Sequence, residues 1–484
     1  MKSKRALLIL GILAIFALTS CSGLKSSVCT VNCGGGAGTA TLTIMLRATP
    51  LAPQANTNLL AFVTTITGVS LTPSSGNPVN LSNTPTLDFV HMQDSSLLVG
   101  TATVPAGTYT NVTISFSAPR VTYCKQLAPG VPGCTSASLA TINGAVTLPV
   151  IPITLTLSDN EQAGLEINLN TANAITVSSQ VVTAVNLGAT NAFSVSTLPP
   201  ANSSLAAGQL GFFENILGEV TAVSGQTVTV LTAANGSYIA TGSASTYYSP
   251  NCLLDAKACV PAVGQLVSID TAVKAGGSLA LLVYDPLSSV AIDWVDGVVT
   301  APATSSTQFQ IVAGKQATAT GGGSNLPSGS IVNVTLVSPL TFGFFIDSKG
   351  LTVPVNSFAG STDASVLVPG MTVGLHVTQF TAASGNTPAS IQADLVILRF
   401  SSVSGAVAGT NAQISFTMQS LPTFFGTTTN SVVQLNQLSP FTNFDGVTGA
   451  SGLTVGNTVA IRALYLGPTA ATNTPFIAAK VRQF

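Results

Sequence analysis

Charged side chains are scarce in this sequence. Among 484 residues there are 15 lysines and arginines and 16 aspartates and glutamates, 6% of the chain, whereas a typical soluble domain carries about 25%. The formal net charge of −1 offers neither a basic patch for nucleic acid nor an acidic tail. Intrinsic disorder is disfavoured as well, because disordered chains combine high charge with low hydrophobicity. Here the charge is low and 46% of the residues are hydrophobic.

Residues that carry chemistry are scarce as well. His91 and His376 are the only histidines, and each is expected to be an ordinary strand or loop residue. The sequence has no Gly-x-Ser-x-Gly, no His-Glu-x-x-His and no phosphate-binding or dinucleotide-binding glycine pattern. It therefore predicts no catalytic residue, no metal site and no cofactor. The acidic residues leave one enzymatic alternative open, a hydrolase of envelope glycans that uses a pair of carboxylates.

Aromatic residues make up 6% of the chain and include one tryptophan. Trp294, together with Tyr247 and Tyr248, is a candidate for stacking on the rings of a sugar ligand. Burial of the same rings in the hydrophobic core is the alternative.

The N-terminus has the pattern of an export signal. Residues 1–20 start with basic side chains and continue with an apolar run from Ala6 to Leu18, which is too short for a membrane span. The run ends in Leu-Thr-Ser-Cys, which resembles the lipobox of bacterial lipoproteins. The resemblance implies cleavage before Cys21, diacylglycerol on its sulfur and an anchor that includes palmitate or a similar acyl chain. Ser22 at the next position favours the outer membrane.

Seven cysteines divide into Cys21 and six that fall in close pairs. In an oxidising cell envelope the pairs are candidates for disulfides. Zinc binding is the alternative, although no histidine lies near any pair. The pairs are Cys29 with Cys33, Cys124 with Cys134, and Cys252 with Cys259.

The pattern after residue 38 is that of β-strands. Leu42, Ile44 and Leu46 alternate with more polar residues, and similar alternation recurs, as at Val332, Val334 and Leu336 and from Ile414 to Met418, between turn clusters of Gly, Pro, Asn and Ser. No helical period is sustained, so the sequence predicts an all-β protein. The expected segments are a signal peptide (1–20), a flexible tether (21–38), a β-sandwich (39–197), a linker (198–210) and three β repeats (211–290, 291–400 with an insertion around 321–345, and 401–484).

The three repeats share two glycine positions. Each opens with a glycine, Gly218, Gly297 or Gly405, which is interpreted as a tight turn that leads into a strand. Each returns through a second glycine before an apolar strand, at Gly264, Gly370 and Gly456. Small closed barrels or sandwiches fit this arrangement, because closure removes exposed sheet edges.

Two resemblances to known families extend this interpretation. The segment Val104-Pro-Ala-Gly-Thr-Tyr109 and the apolar residues before it resemble a domain of unknown function found in bacterial lipoproteins. That resemblance implies a prealbumin-like or immunoglobulin-like sandwich. The three later segments resemble another small β domain of unknown function, which is repeated in similar lipoproteins. Neither resemblance implies a catalytic residue.

These observations predict a lipid-anchored protein of the cell envelope with a non-catalytic binding or structural role. The lipid would attach it to the membrane, an envelope protein or glycan is its possible partner, and nucleic acid is not expected. A glycan hydrolase is one alternative. A membrane-spanning β-barrel is a second, favoured by the terminal Phe484 and opposed by Lys480 and Arg482 in the last strand.

Overall fold

The protein was analysed as a computed structural model, which confirms the all-β class with 59% of residues in strands. Within the described part of the chain, the helices are α1 (Thr171–Ala174) and three 3₁₀ turns at Ala364–Val366, Thr423–Phe425 and Ala450–Gly452. No helix among the described residues is long and apolar enough to cross a bilayer. The structure describes residues 38–51, 57–81, 84–125, 133–134, 138–179, 181–200, 202–255, 257–319, 326–338, 340, 342–411, 414–425, 430–468 and 475–484.

The N-terminal part is a sandwich of two sheets. One sheet has the strand order β13-β10-β1-β5, and the other has the order β8-β7-β2-β6-β9, with β3 and β4 also paired to β2. A separate hairpin joins β11 to β12. The strands are β1 (Thr39–Thr49), β2 (Thr57–Pro73), β3 (Val79–Leu81), β4 (Thr86–Asp88), β5 (Leu97–Pro105), β6 (Gly107–Phe116), β7 (Arg120–Lys125), β8 (Leu139–Asn143), β9 (Val150–Leu157), β10 (Gln162–Asn170), β11 (Ile175–Ser178), β12 (Val181–Val185) and β13 (Phe193–Leu198).

The predicted core residues of β1 are buried, and its opposite face is buried too. Leu42, Ile44 and Leu46 have no exposed surface. Met45 points the other way and is also fully buried, because Gly211 of a later strand lies against its sulfur. The sandwich is therefore covered on its outer face by the next unit of the chain.

The segment Pro105-Ala-Gly-Thr-Tyr109 forms a turn between two strands of the sandwich. It joins β5 to β6, and Gly107 has a φ of +149°. Tyr109 is buried, and its hydroxyl donates a hydrogen bond to the carbonyl oxygen of Pro105 at 2.7 Å. The tyrosine thus closes the corner that the proline opens.

The remaining strands form three closed barrels with one connectivity. In each barrel the first strand pairs with the second and with the fourth, the fourth pairs with the fifth, and the third closes the barrel by parallel pairing with the fifth. A short additional strand also pairs in parallel with the fifth strand of each barrel. This connectivity is that of a five-stranded Greek-key barrel of the OB type.

The barrels follow one another along the chain. The first contains β14 (Gln209–Ser224), β15 (Thr227–Thr232), β16 (Gly236–Thr241), β17 (Tyr247–Tyr248), β18 (Asn251–Cys252), β19 (Lys257–Ala258), β20 (Leu266–Lys274) and β21 (Leu279–Ser288). The second contains β22 (Trp294–Val299), β23 (Gln308–Ala317), β24 (Ile331–Leu336), β25 (Gly343–Ile346), β26 (Thr372–Thr381) and the first half of β27 (Ala389–Asn411). The third contains the second half of β27, β28 (Ser415–Gln419), β29 (Ser431–Leu435), β30 (Asn443–Asp445), β31 (Thr458–Tyr465) and β32 (Phe476–Gln483).

The first repeated glycine lies inside a strand, which corrects the prediction of a tight turn. A Cβ atom on Gly218 would lie 2.2 Å from the carbonyl oxygen of Leu231, and one on Gly405 would lie 2.8 Å from that of Gln419. Gly297 is equally crowded by Val312 and Ile311 of the neighbouring strand. The glycine is needed because the second strand approaches the first too closely for any side chain.

The second repeated glycine forms the turn that enters the fourth strand. Gly264, Gly370 and Gly456 have φ angles of +88°, +92° and +91°, a conformation that glycine adopts without strain. Each donates its N–H to the first strand of its own barrel, with N–O distances of 2.8, 3.0 and 2.8 Å. The same local structure is thus repeated three times.

The boundary expected between residues 400 and 401 lies inside a strand. Residues 390–399 of β27 pair with β26, and residues 400–406 pair with β31, so one continuous strand belongs to two barrels.

The insertion expected around 321–345 is also revised, since β24 and β25 in that segment have counterparts in the other barrels. Much of the additional length instead lies in 347–371, between β25 and β26. Ile414 does not continue the predicted alternation; it is 46% exposed and precedes β28.

The sandwich and the barrels pack against one another. One hydrophobic core joins the sandwich to the first barrel, and a second joins the other two barrels to Leu60 and Ala61 of the sandwich. A smaller core around Trp294 lies between the first and second barrels. Polar contacts add to these cores, such as the hydrogen bond from Thr122 Oγ1 to the Gly329 carbonyl at 2.7 Å.

Candidate functional site: an internal ion network and the cavity beside it

Charged residues are concentrated inside the protein. Of the 31 in the sequence, fourteen are buried in the part of the chain that the structure describes. Lysine, arginine, aspartate and glutamate are almost never fully buried unless they are paired. The buried charges are Asp94, Glu166, Glu214, Asp270, Asp285, Asp296, Asp347, Lys349, Asp394, Arg399, Asp445, Arg462, Lys480 and Arg482.

Asp270 of β20 lies at the centre of a network that connects the three barrels. It accepts two hydrogen bonds of 3.1 Å from Arg462 of the third barrel and one of 2.9 Å from Lys349 of the second. The backbone N–H of Asn215 donates a further bond at 2.7 Å. Burial alone would raise the pKa of Asp270, but Arg462 and Lys349 outweigh it and hold the pKa well below the usual value.

Arg399 of β27 forms the second centre of the network. It pairs with Asp347 and lies 3.6 Å from Asp296, and it donates to the side-chain oxygen of Asn215 at 2.9 Å. Asp285 lies beside Asp347, and burial together with that neighbouring carboxylate raises the pKa of Asp285 well above its usual value.

Two cations of the third barrel also lie over aromatic rings, one of them in the first barrel. Lys480 pairs with Glu214 at 3.1 Å and lies 4.6 Å from the ring centre of Phe212. Arg462, 3.5 Å from Glu214, lies 4.7 Å from the ring centre of Phe400. Cation–π contacts of this kind strengthen where water is excluded.

A second ion group connects the sandwich to the third barrel. Arg482 pairs with Asp445 at 2.7 Å and donates to the Ser96 hydroxyl at 2.8 Å and to the backbone carbonyl of Ser95 at 3.0 Å. Burial opposes ionisation of Asp445, yet Arg482 lowers its pKa to about 2. Arg47 of β1 pairs nearby with Glu166 at 3.0 Å.

A cavity of about 150 Å³ lies next to the network, where the sandwich meets the barrels. Its walls are partly aromatic: Phe213 and Tyr238 meet edge to face with ring centres 5.0 Å apart, and Phe400 lies on another side. Asn235, in the turn between β15 and β16, accepts a hydrogen bond of 2.9 Å from the N–H of Thr86, so this turn is held over the cavity by the sandwich. The ionisable side chains that line it are Asp88, His91, Asp94, Glu214, Lys315 and Arg462.

Two of these groups have a raised pKa. Burial raises the pKa of Asp94 to about 6. Lys315 is exposed at the side where the cavity opens. Burial would lower the pKa of His91, but Asp88 at 3.0 Å outweighs it and raises that pKa. Shifted ionisable groups that meet in a cleft are a mark of functional sites.

The structure does not bring the three predicted stacking residues into this cavity. Trp294 has no exposed surface, and its indole N–H donates to Asp296 at 2.7 Å, so its ring is part of the core between the first two barrels. Tyr247 and Tyr248 are half-buried in the short strand β17, and Tyr248 packs against Tyr284 with ring centres 5.9 Å apart.

Two of the predicted cysteine pairs form disulfides. The Cα atoms are 5.7 Å apart for Cys124–Cys134 and 5.3 Å apart for Cys252–Cys259. The Cys134 N–H also donates to the Thr300 carbonyl at 2.6 Å, so the first disulfide fixes a loop that contacts the second barrel. Cys21 and the pair Cys29 and Cys33 lie outside the described residues.

The second histidine lies away from the cavity. His376 of β26 has its Nδ1 2.7 Å from Asp394 and is partly exposed. No group of three or more His, Cys, Asp or Glu side chains in the described ranges is placed to hold a metal ion.

The cavity residues carry no motif that sequence reasoning could detect, because they come from distant segments. The network did leave a signal: Arg462 is the single charge of the apolar strand β31, and Asp270, Arg399 and Lys480 are charges inside strands that are otherwise mostly apolar. A charge in such a position predicts a buried partner.

Comparison with known proteins adds no relative to this description. The chain matches no protein family, no curated protein and no solved structure.

Proposed function

We propose that the protein is a lipid-anchored component of the bacterial cell envelope with a non-catalytic binding or structural role. The observation that carries the proposal is the internal ion network. Arg399, Arg462 and Lys480 each pair with a buried carboxylate from another barrel or another element. These charges are used to join the units, and the outer surface is left rich in hydroxyl and amide groups.

The joined units favour a role as one body. Because β27 belongs to two barrels and buried ion pairs connect the others, the units are expected to hold fixed positions relative to one another. A rigid body on a lipid anchor can present loops and uncharged sheet surfaces to a partner. The N-terminal pattern that ends at Cys21 supports the anchor, and Ser22 supports the outer membrane.

The anchor is tested by Cys21→Ser. The unaltered protein is expected in the membrane fraction and to incorporate labelled palmitate, and the variant is expected to lose the label. Absence of palmitate from the unaltered protein would contradict the proposal. Cross-linking in native envelopes, followed by pull-down on a C-terminal tag, would then either recover a protein partner or recover only lipid and glycan.

A hydrolase acting on envelope glycans is the second candidate. It is favoured by the cavity, where Asp94 with a pKa of about 6 lies among other carboxylates, as a general acid requires. Turnover of a peptidoglycan or polysaccharide panel that Asp94→Asn abolishes would establish it. Binding without turnover would favour the non-catalytic role.

A further inference from the structure

The cavity next to the ion network has the size and the lining of a ligand site. Its volume of about 150 Å³ equals that of an engineered protein cavity that holds one benzene molecule, about 150 Å³. A ring of the size of benzene therefore fits. Ala233, Ala234 and Lys315 line the cavity and are exposed, so it opens to solvent on that side. A monosaccharide has about twice as many heavy atoms as benzene, so part of it would lie in this opening.

Most charged groups around the cavity already have a partner, which argues against a charged ligand. Asp88 pairs with His91 at 3.0 Å, and Glu214 lies 3.5 Å from Arg462. The ammonium group of Lys315 donates to the backbone carbonyl of Asn215 at 2.5 Å. An anion or cation would have to displace one of these partners, whereas a neutral ligand can add hydrogen bonds to groups that are already paired.

The polar lining also argues against a purely apolar ring. An apolar occupant would separate Asp94, Asn235 and Lys315 from water and give them no hydrogen bond in return. A sugar ring has hydroxyl groups that both donate and accept, together with C–H faces that pack on aromatic walls such as Phe213 and Tyr238.

We propose that this cavity binds one neutral monosaccharide unit, with its apolar face on Phe213 and Tyr238 and its hydroxyl groups towards Asp94, Asn235 and Lys315. Tyr238 is 7% exposed, and its hydroxyl has no hydrogen-bond partner among the residues that the structure describes. A small movement of that side chain would let the hydroxyl bind the ligand. The inference deepens the proposed binding role and rests on it.

The test is calorimetric titration of the full lipidated protein with neutral monosaccharides. The detergent must carry no sugar headgroup, because such a headgroup would compete for the cavity. We expect at least one neutral monosaccharide to bind. Ala234→Trp places a large side chain at the mouth and should weaken binding at least tenfold. Lys315→Met removes a charged donor and should weaken it about tenfold.

Ala244→Trp is the matched control, because Ala244 is also exposed in a turn of the first barrel but does not line the cavity. It should change affinity less than twofold. The inference is overturned if no neutral monosaccharide binds the folded protein, if Ala234→Trp binds as the unaltered protein does, or if phenol or free amino acids bind in place of sugars. Cleavage of bound saccharides would overturn only the non-catalytic role, and failure of palmitate labelling would overturn only the anchor.

Discussion

Replacing Asp270 with asparagine should destabilise the whole protein, because it leaves two buried cations without their main partner. The substitution preserves the size of the side chain and one acceptor oxygen. It removes the charge that pairs with Lys349 at 2.9 Å and with Arg462 at 3.1 Å. Arg462 then retains Glu214 at 3.5 Å, and Lys349 retains the hydroxyl of Ser268 at 2.9 Å.

The expected loss follows from the burial of these groups. Asp270 is 5% exposed, Lys349 4% and Arg462 4%. Breaking one buried pair by removing a single partner costs about 3–5 kcal/mol. Since both cations keep a weaker partner, we expect the free energy of unfolding to fall by this amount and not by twice as much.

Urea titration followed by tryptophan fluorescence measures this loss. Trp294 is the only tryptophan and is fully buried between the first two barrels, so its emission reports on the region around the network. Asp159→Asn makes the same chemical change at an exposed position, where the amide oxygen can still accept from the Thr39 N–H, and should cost less than about 0.5 kcal/mol.

The double variant separates charge from general disruption. Adding Lys349→Met to Asp270→Asn removes one of the unpaired cations and should restore about 1–2 kcal/mol.

The pH dependence of stability gives a second test. The low pKa of Asp270 contributes stability above its ordinary pKa of about 4 that is lost as the pH falls, so the single variant should lose less stability in acid. A cost below about 1 kcal/mol for Asp270→Asn would refute this account of the network.

Three further outcomes are expected in the same assay. Asp94→Asn should stabilise the protein at pH 8 by up to about 3 kcal/mol, because the folded-state pKa of about 6 makes the charged form costly, and the gain should vanish near about pH 3, where Asp94 is largely protonated in both states. A gain that persists at about pH 3 would exclude this cause. Replacing Cys124 and Cys134 together with alanine should lower the free energy of unfolding by about 2–3 kcal/mol, because the unfolded chain gains conformational entropy without the disulfide. Iodoacetamide should label neither cysteine in the native protein. Gly370→Ala should lower the free energy of unfolding by about 2–4 kcal/mol, because its Cβ would lie 2.4 Å from the ring of Phe425 at a φ of +92°. Gly360→Ala is the control: it has a φ of +80° and open space around its Cβ, and it should lower that free energy by about 1 kcal/mol. Equal losses would show that the contact with Phe425 is unimportant.

The fold could be predicted from local patterns. Alternation at Leu42, Ile44 and Leu46 marks a strand whatever lies beyond it, and the turn that ends in Tyr109 closes on itself through a hydrogen bond to Pro105. The recurrence of Gly264 and its two counterparts marks the repeats, because their backbone conformation excludes other residues. Such signals span a few residues and can be seen in a sequence.

The site could not be predicted in the same way. Glu214 and Lys480 are 266 positions apart, and nothing near either residue indicates the other. The interpretation of Gly218 as a turn was wrong for a related reason, since the crowding that requires glycine comes from Leu231 on the neighbouring strand. Pairing between strands determines both features, and pairing is not visible in local composition.

The continuous strand β27 has a consequence for how this protein can be divided or inherited. A cut between residues 400 and 401 would leave each half of β27 paired inside its own barrel, but it would separate two barrels that share one hydrophobic core. Each fragment would then expose apolar surface that favours aggregation. The first barrel ends at Ser288 and the second begins at Trp294, so no strand is shared there, although an exchanged first barrel must still supply Asp270 and Glu214 to pair with the cations of the other two. As units of exchange between proteins, the three barrels therefore amount to two: one single module and one inseparable pair.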